Sequence, residues 1–178
     1  FYFKKDVNSA ADMTGVKFRA YNAATARIAE LAGMVPVQIE AADLSQALAT
    51  GVADSFISSG STGVDSKVWE SLTNFYDVQA WLPRNAVMVN KDSLEGVDEA
   101  SKAAIMDCGA KAATDGAAMA QELTAGYLKT LADNGMKVTG PSDQLKADLA
   151  GFGATMTDEW LKSAGDKGKA IIDAYKAM

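Results

Sequence analysis

The sequence predicts an α/β protein: a mostly parallel sheet flanked by helices, followed by long C-terminal helices. Two observations predict it. In the first half, short strand-like runs alternate with helical segments, the pattern of a parallel sheet with helical crossovers. From Asp98 onward the composition shifts to Ala, Lys, Glu, Leu and Met, the residues that form helices most readily.

The opening FYF reads as a strand. VKFRAY places Val16, Phe18 and Ala20 on one face and Lys17, Arg19 and Tyr21 on the other, the alternation of a half-buried strand. NAATARIAELAG has Ile28 and Leu31 at helical spacing, a candidate cap at Asn22 and a stop at Gly33. The order then repeats. MVPVQIE reads as a strand and ADLSQALATG as a short helix, with Asp43 near its start and Gly51 at its end. VADSFIS opens a third unit, followed by a loop, SSGSTGVDS, and a short helix around Lys67 to Leu72. FYDVQAW and NAVMVN are strand candidates joined by Leu82-Pro83-Arg84. The Ala-rich stretch that follows reads as one long helix in which Gly109, Gly116 and Gly126 permit kinks. MKVTG is a short strand, and two helices, from about Ser142 to Ser163 and from about Asp166 to Lys176, end the chain. The resulting division is an α/β part over 1–95 and a helical part over 96–178.

Composition bounds the chemistry. The 178 residues carry 17 basic and 23 acidic side chains, a net charge of -6, without the clustered Lys and Arg that a nucleic-acid backbone requires. No apolar run approaches the ~20 residues that span a bilayer. There is no Met start and no leader-like n-region and h-region, as expected of a mature protein or an excised piece of one. Cys108 is the only cysteine and histidine is absent, which removes intrachain disulfides, Cys/His zinc sites and His-based acid–base schemes. In its small-residue helical context Cys108 reads as packing. Neither GxxxxGK[ST] nor GxGxxG occurs, so no nucleotide cofactor is expected.

Ligands of open parallel sheets bind at the carboxyl ends of strands, and Arg19 lies at such an end. It is either a surface guanidinium in a loose ion pair or a rigid five-donor fork that takes a carboxylate in a bidentate way. Asn22 either adds hydrogen bonds there or caps the helix. The Ser- and Gly-rich run after the third strand is either a plain turn or a set of donors for an anionic oxygen. Trp69 and Trp81, with Phe75 and Tyr76 between them, either wall a pocket or belong to the core.

ADMTGVKFRAYN, MVPVQIEAADLSQALATGVADSF and WESLTNFYDVQAWLPRNAVMVN together resemble, in order and spacing, the DctP-like solute-binding proteins of TRAP transporters. The most specific parts are Gly15-x-Lys17-x-Arg19 and Asp43-Leu44-x-x-Ala47-Leu48-x-x-Gly51-Val52-x-Asp54. The resemblance implies that 1–95 is the ligand-binding lobe of a type II periplasmic-binding-protein fold, with 96–178 packing on that lobe and the hinge, and that the lobe closes with a second one around an organic acid and hands it to a membrane permease. It implies that Arg19 pairs with the ligand's carboxylate, that Asn22 assists, and that Ser58, where the family often has Asn, completes the contact. Tyr21 stands where the family often has Pro and is expected to face the ligand. Ser59, Trp69, Trp81 and Asn85 complete the candidate ligand-binding set, and the aromatic members point to an acid with a bulky body. The family's first lobe has no counterpart ahead of FYFKK, so Phe1 to Phe3 corresponds to a hinge-crossing strand, and the surface facing that lobe is expected to be exposed or buried in a homo-dimer. The rival readings are an effector-sensing domain of a regulator with a similar fold, and an enzyme using carboxylates alone.

Overall fold

The computed structural model of the chain describes residues 1–79 and 86–178. They form two compact units, one made of Phe1–Val78 with Leu131–Met178 and the other of Gln79–Thr130.

The first unit is built on a six-stranded sheet of β1 (Tyr2–Phe3), β2 (Lys17–Ala20), β3 (Val35–Gln38), β4 (Ser55–Phe56), β5 (Asn74–Tyr76) and β6 (Lys137–Thr139). The order is β3-β2-β4-β1-β5-β6. β2 runs parallel to β3 and β4, and β5 runs parallel to β6, whereas β1 lies antiparallel between β4 and β5. The mostly parallel α/β architecture expected from the sequence is therefore present.

Helix α1 (Ala23–Leu31) carries the chain from β2 to β3 on one side, and α2 (Leu44–Ala49) carries it back to β4 on the other side of β2. The strand order reverses at β2, the position where open α/β sheets leave a crevice at their carboxyl edge. Asn22 caps α1 by accepting from the Thr25 N–H at 2.8 Å, which satisfies one of the helix's free amino-terminal donors.

Apolar burial holds the unit together. Phe1, Tyr2, Phe3, Phe18, Phe56, Phe75 and Tyr76 are each at most 5% exposed, and each such side chain contributes about 1.5–3 kcal/mol. Phe75 and Tyr76 are thus core residues. Helix α6 (Asp143–Lys176) is anchored by Asp148, which accepts the Ala10 N–H at 2.7 Å, and by Glu159, which receives two hydrogen bonds from Arg27 of α1. It is interrupted at Gly165, where the φ of 61° and ψ of -149° suit only glycine, close to the break expected between two final helices.

Three expectations of secondary structure need correction. SSGSTGVDS is not a loop: Gly60–Asp65 forms helix α3, because Ser59 caps it and Gly63 fits beneath the Tyr2 ring. What was expected as a helix around Lys67 to Leu72 is a single 3-10 turn, Val68–Glu70, entered through Lys67 with a φ of 45°. Within NAVMVN the described residues, 86–90, form no strand, and Val87, Met88 and Val89 are exposed; no described strand pairs with them, so they have no ladder to join.

Among the described residues the second unit contains helix α4 (Lys91–Glu95) and most of α5 (Glu99–Asp133). α5 is one helix through Gly109, Gly116 and Gly126. Cys108 is exposed on it, not packed as expected, because nothing among the described residues covers this stretch of α5, where Ile105 and Met106 are exposed as well. Among the described residues no helix is long and apolar enough to cross a membrane.

Candidate functional site

The carboxyl ends of β3, β2 and β4 lie side by side. Arg19 is level with Val37 on one neighbour and Phe56 on the other, so Tyr21 and Ser58 each stand two residues beyond a paired position at the same edge. The register continues through Tyr2 and Phe75 to Val138, giving a row across the sheet in which Arg19 is the only charged side chain. Paired residues share a face, so this cation belongs to an otherwise apolar and aromatic row.

Arg19 is 6% exposed. Its Nε donates to the carbonyl of Ile39 at 2.8 Å, and its Cζ lies 4.8 Å from the centre of the Tyr21 ring. Among the described residues no carboxylate forms an ion pair with it. Burial pulls its ionisation down from the ordinary value, and the electrostatic influence of Tyr21 and Glu40 partly opposes this; the guanidinium stays charged. A buried cation without a hydrogen-bonded counter-ion is costly, and an incoming anion relieves that cost. Among the described residues the surface ion pair that the sequence leaves open for Arg19 is not formed.

Of the two alternatives for Asn22, the helix cap is formed. Its Oδ1 is used in capping, which leaves the Nδ2 donor for other work. Thr25, which sequence reasoning passes over, organises this corner: it is fully buried, and its hydroxyl accepts from the N–H groups of Tyr21 at 3.1 Å and Asn22 at 3.2 Å. The Asn-x-x-Thr spacing, a capping-box variant, is the signal that points to it.

After β4, Ser58 is half-buried and donates to the Thr62 hydroxyl at 2.8 Å. Ser59 is exposed, caps α3 through its Oγ, and accepts on its carbonyl from the Tyr2 hydroxyl at 2.8 Å. The structure thus brings Arg19, Tyr21, Asn22, Ser58 and Ser59 to one sheet edge. Trp69 is half-buried on the Val68–Glu70 turn, which packs against α2 and α3. Trp81 and Asn85 lie outside the described residues.

Two surface grooves accompany the sheet. One, of about 360 Å³, is lined from Gln38 and Ile39 onward and carries Glu40 and Asp43 without a basic residue, so its charge opposes an anionic ligand. The other, of about 310 Å³, lies at the amino end of β2, where Lys4 is already paired with Asp54 at 2.9 Å. Neither is lined by Arg19. Among the described residues no group of three or more acidic, His or Cys side chains is placed to hold a metal ion.

Comparison with known proteins converges on one family. Residues 1–164 match the sequence profile of DctP, bacterial extracellular solute-binding protein, family 7. The chain is similar to a TRAP solute-binding protein of an unidentified marine microbe, specific for pyroglutamate and crystallised with co-purified pyroglutamate. The identity is 51%, over 99% of this chain and 58% of that one, with a TM-score of 0.94. It is also similar to DctP6 of Bordetella pertussis, an extracytoplasmic solute receptor binding pyroglutamic acid, at 46% identity over 99% of this chain and 59% of that one, with a TM-score of 0.96. The periplasmic ectoine-binding protein of the Halomonas elongata TeaABC TRAP transporter shares the fold, with a TM-score of 0.87 at 19% identity over 99% of this chain and 58% of that one. The chain thus spans less than two thirds of the length of these structures. No curated protein matches it.

Proposed function

The chain belongs to bacterial extracellular solute-binding protein family 7, and from that premise we propose that it binds pyroglutamate in the periplasm, for delivery to a TRAP membrane permease, without chemical turnover. The observation that carries this reading is Arg19: a buried guanidinium with one main-chain acceptor and no carboxylate partner among the described residues, at the strand end where the sheet order reverses. Such a fork takes a carboxylate through two parallel charge-assisted hydrogen bonds. Asn22 contributes Nδ2 and Ser58 its hydroxyl, while Ser59, Trp69, Trp81 and Asn85 stay in the proposed ligand set on the strength of the sequence.

Pyroglutamate is a compact five-membered lactam with a single carboxylate. It is favoured over the bulkier acid suggested by the aromatic residues because the relatives at 51% and 46% identity bind it. One face of the Tyr21 ring is also taken up by Arg19, which leaves less aromatic surface for a ligand. Neither the family match nor the relatives' descriptions speak for pairing of two copies, so the homo-dimer expected from the sequence is not carried forward.

Native mass spectrometry of the purified protein tests the reading by its co-purified acid, and calorimetric titration with pyroglutamate tests it by affinity. One unmodified pyroglutamate per chain is expected. Arg19→Ala is expected to cost about 2–5 kcal/mol of binding, since it removes one partner of a desolvated charge pair. Equal affinity in the variant would reject Arg19 as the ligand's cation, and recovery of a converted acid would reject a purely binding role.

A further inference from the structure

We propose that Tyr21 is a positioning residue acting through Arg19: its ring is the platform that fixes the plane of the guanidinium, and not a wall of the ligand pocket. The proposal rests on the reading of Arg19 as the carboxylate's partner.

The geometry supplies two restraints on one cation. The Nε–H bond to the Ile39 carbonyl, at 2.8 Å, holds one edge of the guanidinium but leaves it free to pivot about that contact. The Tyr21 ring, 4.8 Å from Cζ, lies within cation–π range and removes the pivot. The ring is itself anchored at its backbone, because the buried Thr25 hydroxyl accepts the Tyr21 N–H at 3.1 Å and the adjacent Asn22 N–H at 3.2 Å. Thr25 sits in the first turn of α1, so the helix start, the ring and the guanidinium form one chain of contacts. The consequence is preorganisation. The rotamer freedom of a long Arg side chain is surrendered on folding instead of on binding, and the terminal Nη groups are held ready for a planar carboxylate.

The proposal separates the ring of Tyr21 from its hydroxyl. Tyr21→Phe keeps the platform, whereas Tyr21→Leu removes it while retaining apolar bulk. In the free 178-residue chain, solvent exchange of the Arg19 Nε–H is measured by NMR. It is expected to match wild type in Tyr21→Phe and to accelerate about tenfold in Tyr21→Leu, with pyroglutamate affinity falling by a similar factor in the Leu variant alone. In an Arg19→Gln background the further change Tyr21→Leu is expected to leave any residual affinity unchanged, because the ring then has no cation to hold. Unchanged Nε–H exchange in Tyr21→Leu would overturn the proposal, as would equal loss of affinity in Tyr21→Phe, which would mark a direct hydroxyl contact. If wild type takes up no pyroglutamate while the exchange pattern is as expected, the platform stands and the functional reading of Arg19 falls.

Discussion

Tyr2, on the central antiparallel strand, donates its hydroxyl proton to the main-chain carbonyl of Ser59 at 2.8 Å and so ties β1 to the turn that follows β4. The ring is stacked on Phe56 with centroids 4.3 Å apart and planes within 1°, and it meets Phe75 at 4.6 Å. Burial pushes the phenol's ionisation up, so the group stays a neutral donor throughout the physiological range. Ser59 caps α3 and adjoins Ser58, so a side chain deep in the core sets the height of the candidate ligand turn above the sheet.

Tyr2→Phe keeps the ring stack and removes one buried hydrogen bond. It is expected to cost about 1 kcal/mol of stability and to speed amide exchange at Thr62 and Gly63, the donors of the first turn of α3. Urea unfolding and amide exchange measure both effects; an unchanged midpoint would show that the hydroxyl contributes nothing to stability.

Gly63 occupies the other side of the same contact. A Cβ there would meet Tyr2 ring carbons at 2.8 and 2.9 Å and run into the hydroxyl oxygen, inside a cluster with no spare volume. Gly63→Ala is expected to destabilise by about 1–3 kcal/mol through overpacking. The same change in a Tyr2→Leu background should cost clearly less, since the obstructing atoms are gone. Equal costs in the two backgrounds would exclude the clash as the cause.

The features legible in the sequence are those set by local rules. The Asn22 cap, the helix stop at Gly33, the alternation that buries Phe18 and the break near Gly165 all depend on residues within a few positions of one another. Arg19 was locatable as a strand-end cation for the same reason, but its burial was not, because that follows from Ile39 and Tyr21 closing over it. Helix α3 was hidden by its Ser and Gly composition, which argues for a loop until Tyr2, distant in sequence, supplies the packing partner. The central antiparallel slot of β1 was equally hidden, since strand pairing is decided by neighbours across the sheet and not by the strand's own residues.

Ser55 presents the opposite case from Tyr2. It is fully buried on β4, and its hydroxyl has no hydrogen-bond partner among the described residues. Paired positions put it between Phe18 on β2 and Phe3 on β1. Folding therefore strips water from a polar group that gains no new bond among the described residues. Ser55→Ala removes only that group and is expected to leave stability unchanged or to raise it by up to about 1–2 kcal/mol. Thermal unfolding of the variant checks this, and a substantial fall would reveal a partner for the hydroxyl.

Acid should loosen the attachment of α6. Arg27, on the helix that follows the Arg19 strand, reaches Glu159 through Nε at 3.0 Å and Nη2 at 2.6 Å, while its Nη1 contacts Glu30 at 2.9 Å. These bonds hold the Glu159 carboxyl below its ordinary value of 4.5, and Arg27 is shifted upward by the same contacts and stays charged. A carboxyl with a depressed folded-state value prefers the folded protein when ionised. Its contribution is complete above the ordinary value and disappears as pH falls through the lowered one. The stability gap between wild type and Glu159→Gln is therefore expected to be flat near neutrality and to close on acidification below 4.5. Both partners are more than a third exposed, so added salt should also narrow the gap at neutral pH. Urea midpoints of the two proteins across the carboxylate range decide the matter: a gap that widened in acid would mean that the neutral carboxyl is the form the fold prefers.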